Sequence, residues 1–126
     1  MNITEKKTIL LVEDDFIIAL DESIRIKKFG YTVLIAKDGE TAVRLTQENK
    51  DISMILMDIN LGKGISGPTA AKIILQSKKL PIIFLSSHTE EEYNKETEGI
   101  TNYGYLLKGS TDQNLSKIIM HGLQNT

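Results

Sequence analysis

Met54-Ile55-Leu56-Met57-Asp58-Ile59-Asn60 is an apolar run closed by a single carboxylate. A short uninterrupted apolar run reads as a strand buried on both faces, as parallel strands between two helix layers are. A charge does not belong inside such a strand. At its carboxyl end, however, Asp58 emerges at the rim of the sheet, where open α/β folds place their ligand sites. The other informative residues are those that reach the same rim.

Composition narrows the function classes. A chain of 126 residues with 40% hydrophobic and 25% charged residues is one domain, 1–126, with enough apolar material for a core. It has no cysteine, which excludes disulfides and thiolate metal sites, and only two histidines, His88 and His121. The net charge of -2 argues against a nucleic-acid surface. Residues 1–7 lack the apolar core of a signal peptide, and no apolar run approaches membrane-spanning length. The expectation is a soluble cytoplasmic domain that contacts neither nucleic acid nor membrane.

Strand and helix signals alternate along the chain. Thr8-Ile9-Leu10-Leu11-Val12 reads as a buried strand and is followed by Glu13-Asp14-Asp15. From Phe16 to Phe29, apolar residues at 16, 17, 20 and 24 have the spacing of one helical face, with Asp15 as N-cap and Gly30 as the stop. Thr32–Ala36 is a second strand, and Asp38 caps a helix that runs to about Asn49. The opening stretch is the third strand. Ser66-Gly67-Pro68 begins the third helix, with proline in the first turn where its missing N–H costs nothing. Pro81–Leu85 is the fourth strand, Thr89 to Glu98 an acidic fourth helix, and Tyr103–Leu107 the fifth strand. A last helix from about Thr111 puts Leu115, Ile118, Ile119 and Leu123 inside. Such alternation predicts a doubly wound parallel sheet with right-handed crossovers and helices on both faces.

Parallel strands bring all their carboxyl ends to one rim. Glu13 and Asp14 arrive from the first strand, Asp58 from the third, Ser86 from the fourth and Lys108 from the fifth. Clustered carboxylates repel unless a cation relieves them, and Mg²⁺ suits an all-oxygen site that retains waters. An aspartate can attack phosphorus if the charges are neutralised, with Lys108 and Ser86 as cation and hydrogen-bond donor. The constellation reads as an aspartate-phosphorylation site.

Val12-Glu13-Asp14-Asp15, the strand-end Asp58, Leu85-Ser86-Ser87 and Tyr105-Leu106-Leu107-Lys108 resemble, in order and spacing, the motifs of response-regulator receiver domains over essentially the whole chain. The resemblance implies the flavodoxin-like strand order 2-1-3-4-5. It implies Asp58 as phosphoacceptor, Asp14, Asp58 and the Asn60 carbonyl as direct Mg²⁺ ligands, and Glu13 acting through a metal-bound water. Ser86, Ser87, Lys108 and Asn60 then meet the phosphoryl group. Ser86 and Tyr105 form the switch, and Asn60 with His88 tunes dephosphorylation. The implied partners are a histidine kinase or phosphotransfer protein and a downstream protein that reads the face of the fourth helix, fifth strand and fifth helix. The implied role is a signalling switch, not an enzyme acting on a separate substrate.

Three departures from the family pattern stand out. Gly62 replaces a frequent proline, in a loop that is one residue longer before Gly67 and is expected to be mobile. Gly109 follows Lys108 where proline is common, which leaves either a trans peptide with a shifted loop or a cis peptide costing about 3 to 4 kcal/mol. The segment from Glu98 to Tyr103 lacks the usual small residues. Two rival readings follow: a receiver-like docking module that accepts no phosphate, and a dinucleotide-binding protein using Gly62, Gly64 and Gly67, which match G-x-G-x-x-G between a strand and a helix. Against the latter, the glycines follow the third strand and share their rim with carboxylates that repel a pyrophosphate.

Overall fold

Strand pairing follows the apolar runs in the computed structural model, which describes residues 6–87, 100 and 104–124. β1 (Thr8–Val12), β2 (Thr32–Ala36), β3 (Ile52–Asp58), β4 (Ile82–Ser86) and β5 (Gly104–Leu107) alternate with α1 (Phe16–Lys28), α2 (Gly39–Glu48), α3 (Gly67–Leu75) and α4 (Asp112–Gln124). All strand pairs are parallel, and the sheet order is β2-β1-β3-β4-β5, the flavodoxin-like order the resemblance implied. α4 is the last helix expected from the sequence. The acidic helix expected between Thr89 and Glu98, together with His88, lies outside the described residues. None of the described helices is long and apolar enough to cross a membrane.

The expected caps form. Asp15 accepts from the Ile17 and Ile18 N–H groups at 3.0 and 3.1 Å, Asp38 from Thr41 at 2.7 Å and Ser66 from Thr69 at 3.2 Å. The hydrogen bonds from Thr41 hold the Asp38 carboxyl below its ordinary pKa. Gly30, with φ of +101°, ends α1. β3 begins at Ile52, two residues before the opening run, and closes at Asp58 as expected. Ile59 and Asn60 lie beyond it in the loop.

Alternation along the strands builds two apolar layers. Leu10, Val12, Ile55, Met57, Ile82 and Phe84 pack beneath α2 and α3 through Ala42, Ala70, Ala71 and Ile74. Ile9, Leu11, Met54, Leu56, Ile83 and Leu85 face the other way, towards α1 and α4 through Ala19, Ile26, Leu115 and Ile119. Successive side chains of a strand serve opposite faces, so an uninterrupted apolar strand is what two helix layers require.

The apolar spacing in α1 is not its buried face. Ala19, Ser23 and Ile26 are buried, whereas Phe16 and Ile17 are 74% and 77% exposed and Leu20 and Ile24 about half exposed. Ala19 and Ser23 are small and buried, Ile26 fills the core near the end of the helix, and the large residues at 16, 17, 20 and 24 are left on the outside.

Candidate functional site

Register places the rim residues together before any side chain is considered. Val12 pairs with Met57, Asp58 with Leu85, and Ser86 with Leu107, so Glu13, Asp58, Ser86 and Lys108 all arrive at one level of the sheet. Backbone bonds carry the strands past their ends: the Glu13 N–H donates to Ala36, Ile59 to Leu85 and Lys108 to Ser86, at 3.0, 3.1 and 2.9 Å.

Asp58 is 3% exposed, and both its oxygens are engaged. Oδ1 accepts from the Asn60 N–H at 3.1 Å, and Oδ2 accepts from Lys108 Nζ at 2.7 Å. The same ammonium lies 3.1 Å from Glu13 Oε1, an ion pair whose geometry falls short of a hydrogen bond. Glu13 Oε2 accepts from the Asp15 N–H at 3.1 Å. Burial, with the charge of Asp58 adding to it, pushes the Glu13 carboxyl up to about 7 despite the opposing pull of the Asp15 N–H and Lys108. Burial alone would lower the Lys108 pKa, but Asp58 and Glu13 outweigh it and the net shift is upward.

The Lys108–Gly109 peptide is trans. The lysine nevertheless reaches Asp58, so the glycine does not carry it out of the site. Gly109 absorbs the change through a φ of +84°, a conformation closed to proline.

Oxygens of Glu13, Asp14 and Asp58 lie within 4.8 Å of one another, which is a donor set for a hard divalent ion. Asp14 is exposed, Glu13 has a buried oxygen without a hydrogen bond among the described residues, and one lysine is shared between two carboxylates. Excess buried negative charge of this kind fits a cation such as Mg²⁺.

Ser86 ends β4 at 1% exposure, Ser87 beside it is exposed, and Asn60 is exposed with its N–H turned to Asp58. Tyr105 is half-buried against the α2–α3 layer. Of the two histidines, His121 is exposed on α4, as expected for a surface residue, while His88 is outside the described residues.

The glycine loop has an account other than phosphate binding. Gly62 and Gly64 have φ of +74° and +77°. A Cβ on Gly62 would stand 2.9 Å from Asp14 Oδ2, one on Gly64 would stand 2.5 Å from Glu40 Oε1, and one on Gly67 would collide with the Asp58 carbonyl oxygen. All three face oxygens, which a pyrophosphate would also meet. Nor is the loop untethered, since the Ile65 N–H donates to Glu40 Oε2 at 3.1 Å.

Three side chains near the site were not legible in the sequence: Glu22, Arg25 and Glu40. Glu22 and Arg25 line a small cleft with Lys108, between α1 and the end of β5. Burial raises the Glu22 pKa, and its Oε1 has no hydrogen-bond partner among the described residues. Helical residues reach a strand rim only through the helix's rotation and packing, which sequence spacing leaves open.

A family model, the response regulator receiver domain, matches residues 9–120. The uncharacterized transcriptional regulatory protein YrkP of Bacillus subtilis is 36% identical over 111 residues, covering 85% of this chain and 45% of that protein. The phyllosphere-induced regulator PhyR of Methylorubrum extorquens is 34% identical over 83 residues, covering 65% of this chain and 31% of that protein. The chain thus spans less than half the length of either relative. Among solved structures, the N-terminal domain of a response regulator/sensory box/GGDEF three-domain protein from Carboxydothermus hydrogenoformans superposes with a TM-score of 0.88 at 39% identity, over 94% of this chain and 95% of that one. The receiver domain of the sensor histidine kinase PA1611 from Pseudomonas aeruginosa, with a magnesium ion in its active-site cleft, gives 0.87 at 25% identity, over 95% and 99%. A family match that runs from β1 into α4, on a sheet of the same order, leads to one conclusion: the chain belongs to the response regulator receiver domains, signalling modules of two-component systems.

Proposed function

We propose that this chain is a phosphoacceptor in a two-component phosphorelay: Asp58 takes a phosphoryl group from a histidine kinase or phosphotransfer protein in a Mg²⁺-dependent reaction. The observation that carries this reading is the state of the Asp58 carboxylate. It is buried, held by the Asn60 N–H and the Lys108 ammonium, and close to the oxygens of Glu13 and Asp14. In the transfer, an Asp58 oxygen forms a bond to phosphorus as the bond from phosphorus to the donor imidazole breaks. The electron pair stays on the imidazole nitrogen, which is protonated.

Asp14, Asp58 and the Asn60 carbonyl would hold the ion, with Glu13 acting through a bound water. Bound there, Mg²⁺ supplies charge neutralisation for a phosphoryl oxygen. Lys108 exchanges its Asp58 oxygen for a phosphoryl oxygen and stabilises the charge that develops there. Ser86, Ser87 and Asn60 supply the remaining contacts, and Asn60 with His88 sets how fast water removes the group. Drawing Lys108 and Ser86 towards the new charge biases an existing equilibrium at the ends of β4 and β5, with Tyr105 as the element that changes sides. A downstream protein reads the face around β5 and α4. The donor docks on the exposed apolar side of α1, which begins at Phe16, two residues after Asp14. We place this exchange in the cytoplasm.

The docking-only alternative loses its main support, because Lys108 reaches Asp58 in spite of Gly109. The test is intact mass after incubation with acetyl phosphate and Mg²⁺. One phosphoryl adduct that needs both the metal and Asp58 is expected; an adduct that persists in Asp58→Asn, or none on the wild-type chain, overturns the proposal.

A further inference from the structure

Lys108 bridges Asp58 and Glu13 at 2.7 and 3.1 Å, yet the residue after it is a glycine with nothing among the described residues within 4 Å of where a Cβ would stand. A dipeptide so free does not by itself aim a side chain. Before the glycine, the backbone is held by the bond from the Lys108 N–H to Ser86. After it, the Ser110 N–H and Oγ both donate back to the Leu107 carbonyl, at 3.2 and 2.6 Å, and close a turn around Lys108 and Gly109.

That turn is held from outside by Arg25. From the last turn of α1 its Nη2 donates to the Ser110 carbonyl at 2.7 Å and its Nε to Asp112 Oδ1 at 2.5 Å. Among the described residues, no other side chain beyond the turn donates to Ser110. The Arg25 side chain is 21% exposed and that of Asp112 66%, so the ion pair is worth little to stability by itself. Geometry is the larger effect. A planar fork holding two acceptors fixes both the distance and the angle of the segment after the glycine, which a single ammonium would not. Arg25 and Lys108 also line the same cleft.

We propose that Arg25 is a positioning residue for Lys108: by spanning Ser110 and Asp112 it holds the glycine turn so that the ammonium bridges Asp58 and Glu13. Its effect on phosphorylation rests on Asp58 being the phosphoacceptor; its effect on Lys108 does not. A fixed, long-range guanidinium thus does for a flexible Lys-Gly turn what a ring-constrained residue after the lysine would do by its own stiffness.

The experiment compares the wild-type chain with Arg25→Lys and Arg25→Ala. The phosphorylation rate with acetyl phosphate, Mg²⁺ affinity by calorimetry, and the NMR signal of the Lys108 side chain in lysine-labelled protein are read together, with Asp58→Asn marking a Lys108 that has lost its ion pair with Asp58. Both variants are expected to phosphorylate on the order of 10-fold more slowly. Mg²⁺ affinity should remain within about 2-fold, because no proposed ligand is touched, and the Lys108 signal should move towards its position in Asp58→Asn. An unmoved Lys108 signal overturns the inference, whether or not the rate falls. If the wild-type chain takes no phosphoryl group at all, the phosphoacceptor reading fails, and the Lys108 signal alone decides the role of Arg25.

Discussion

The Glu13 carboxyl, pushed up to about 7 from 4.5 chiefly by burial, binds its proton more tightly in the folded chain than in the unfolded one. Its contribution therefore runs opposite to that of a salt-bridged acid. Stability is greatest while Glu13 is protonated and falls as pH rises through this window, by on the order of 3 kcal/mol. Metal-free protein should melt at progressively lower temperature as pH rises from 4.5 to about 7, levelling off above that, and Glu13→Gln should flatten that slope; a slope that survives the substitution places the titration elsewhere. Mg²⁺ offsets the same charge, so its stabilising effect should be larger at pH 8 than at pH 5.5. Lys108→Ala leaves two buried carboxylates without their cation and should cost about 1–3 kcal/mol in a denaturant melt. Mg²⁺ binding should survive in that variant, while the response to phosphorylation should be lost. Asp58, Glu13, Asp14 and Lys108 were legible because a residue at a strand end goes where the strand goes. Arg25 and Glu40 were not, because their reach depends on the rotation of a helix and the path of a loop.

At the scale of elements, α1 is where periodicity misled. The spacing of Phe16, Ile17, Leu20 and Ile24 is helical, but α1 buries Ala19, Ser23 and Ile26 and turns those four residues outward. Which stripe faces the sheet is set by how the helix is rotated on it, so the most apolar stripe is not the core stripe. Ile17→Ser and Leu20→Ser should then change stability by no more than about 0.5 kcal/mol. If the kinase docks there, both should slow phosphotransfer from it and leave acetyl phosphate phosphorylation unchanged; equal loss with both donors would move the defect to the site itself. The loop between β3 and α3 is the second lesson. Two glycines and a missing proline implied mobility, yet the loop is anchored to Glu40, in the first turn of α2. Glu40→Ala should raise amide exchange from Gly64 to Ser66 on the order of 10-fold, as local opening becomes easier. Mg²⁺ affinity should weaken modestly through Asn60, and unchanged exchange would mean that the glutamate is not the anchor.

Across the whole molecule, the central strands stand apart from the sheet edge where the proposed switch lies. β1 and β3 are buried and central, with helix layers on both sides, while Ser86, Tyr105 and Lys108 sit towards the β5 edge. Phosphorylation, or a beryllofluoride mimic with Mg²⁺, should therefore alter hydrogen exchange at Ser86–Ser87 and Tyr105–Ser110 and leave Ile9–Val12 unchanged; a uniform change along the chain would argue against a local switch. By itself the sequence determined the alternation of strands and helices, the caps at Asp15, Asp38 and Ser66, and the convergence of carboxylates with a lysine. These follow from local chemistry and from the rule that parallel strands share one rim. Only the tertiary structure decided how Lys108 reaches Asp58 through a trans Lys-Gly peptide, which face of α1 is outside, and why three glycines crowd one loop. Each of these depends on what lies opposite in space: Arg25 on another element, the sheet beneath α1, and the oxygens of Asp14, Glu40 and Asp58. Sequence spacing encodes a residue's own element, whereas a contact between elements is set by packing that forms only when the whole chain has folded.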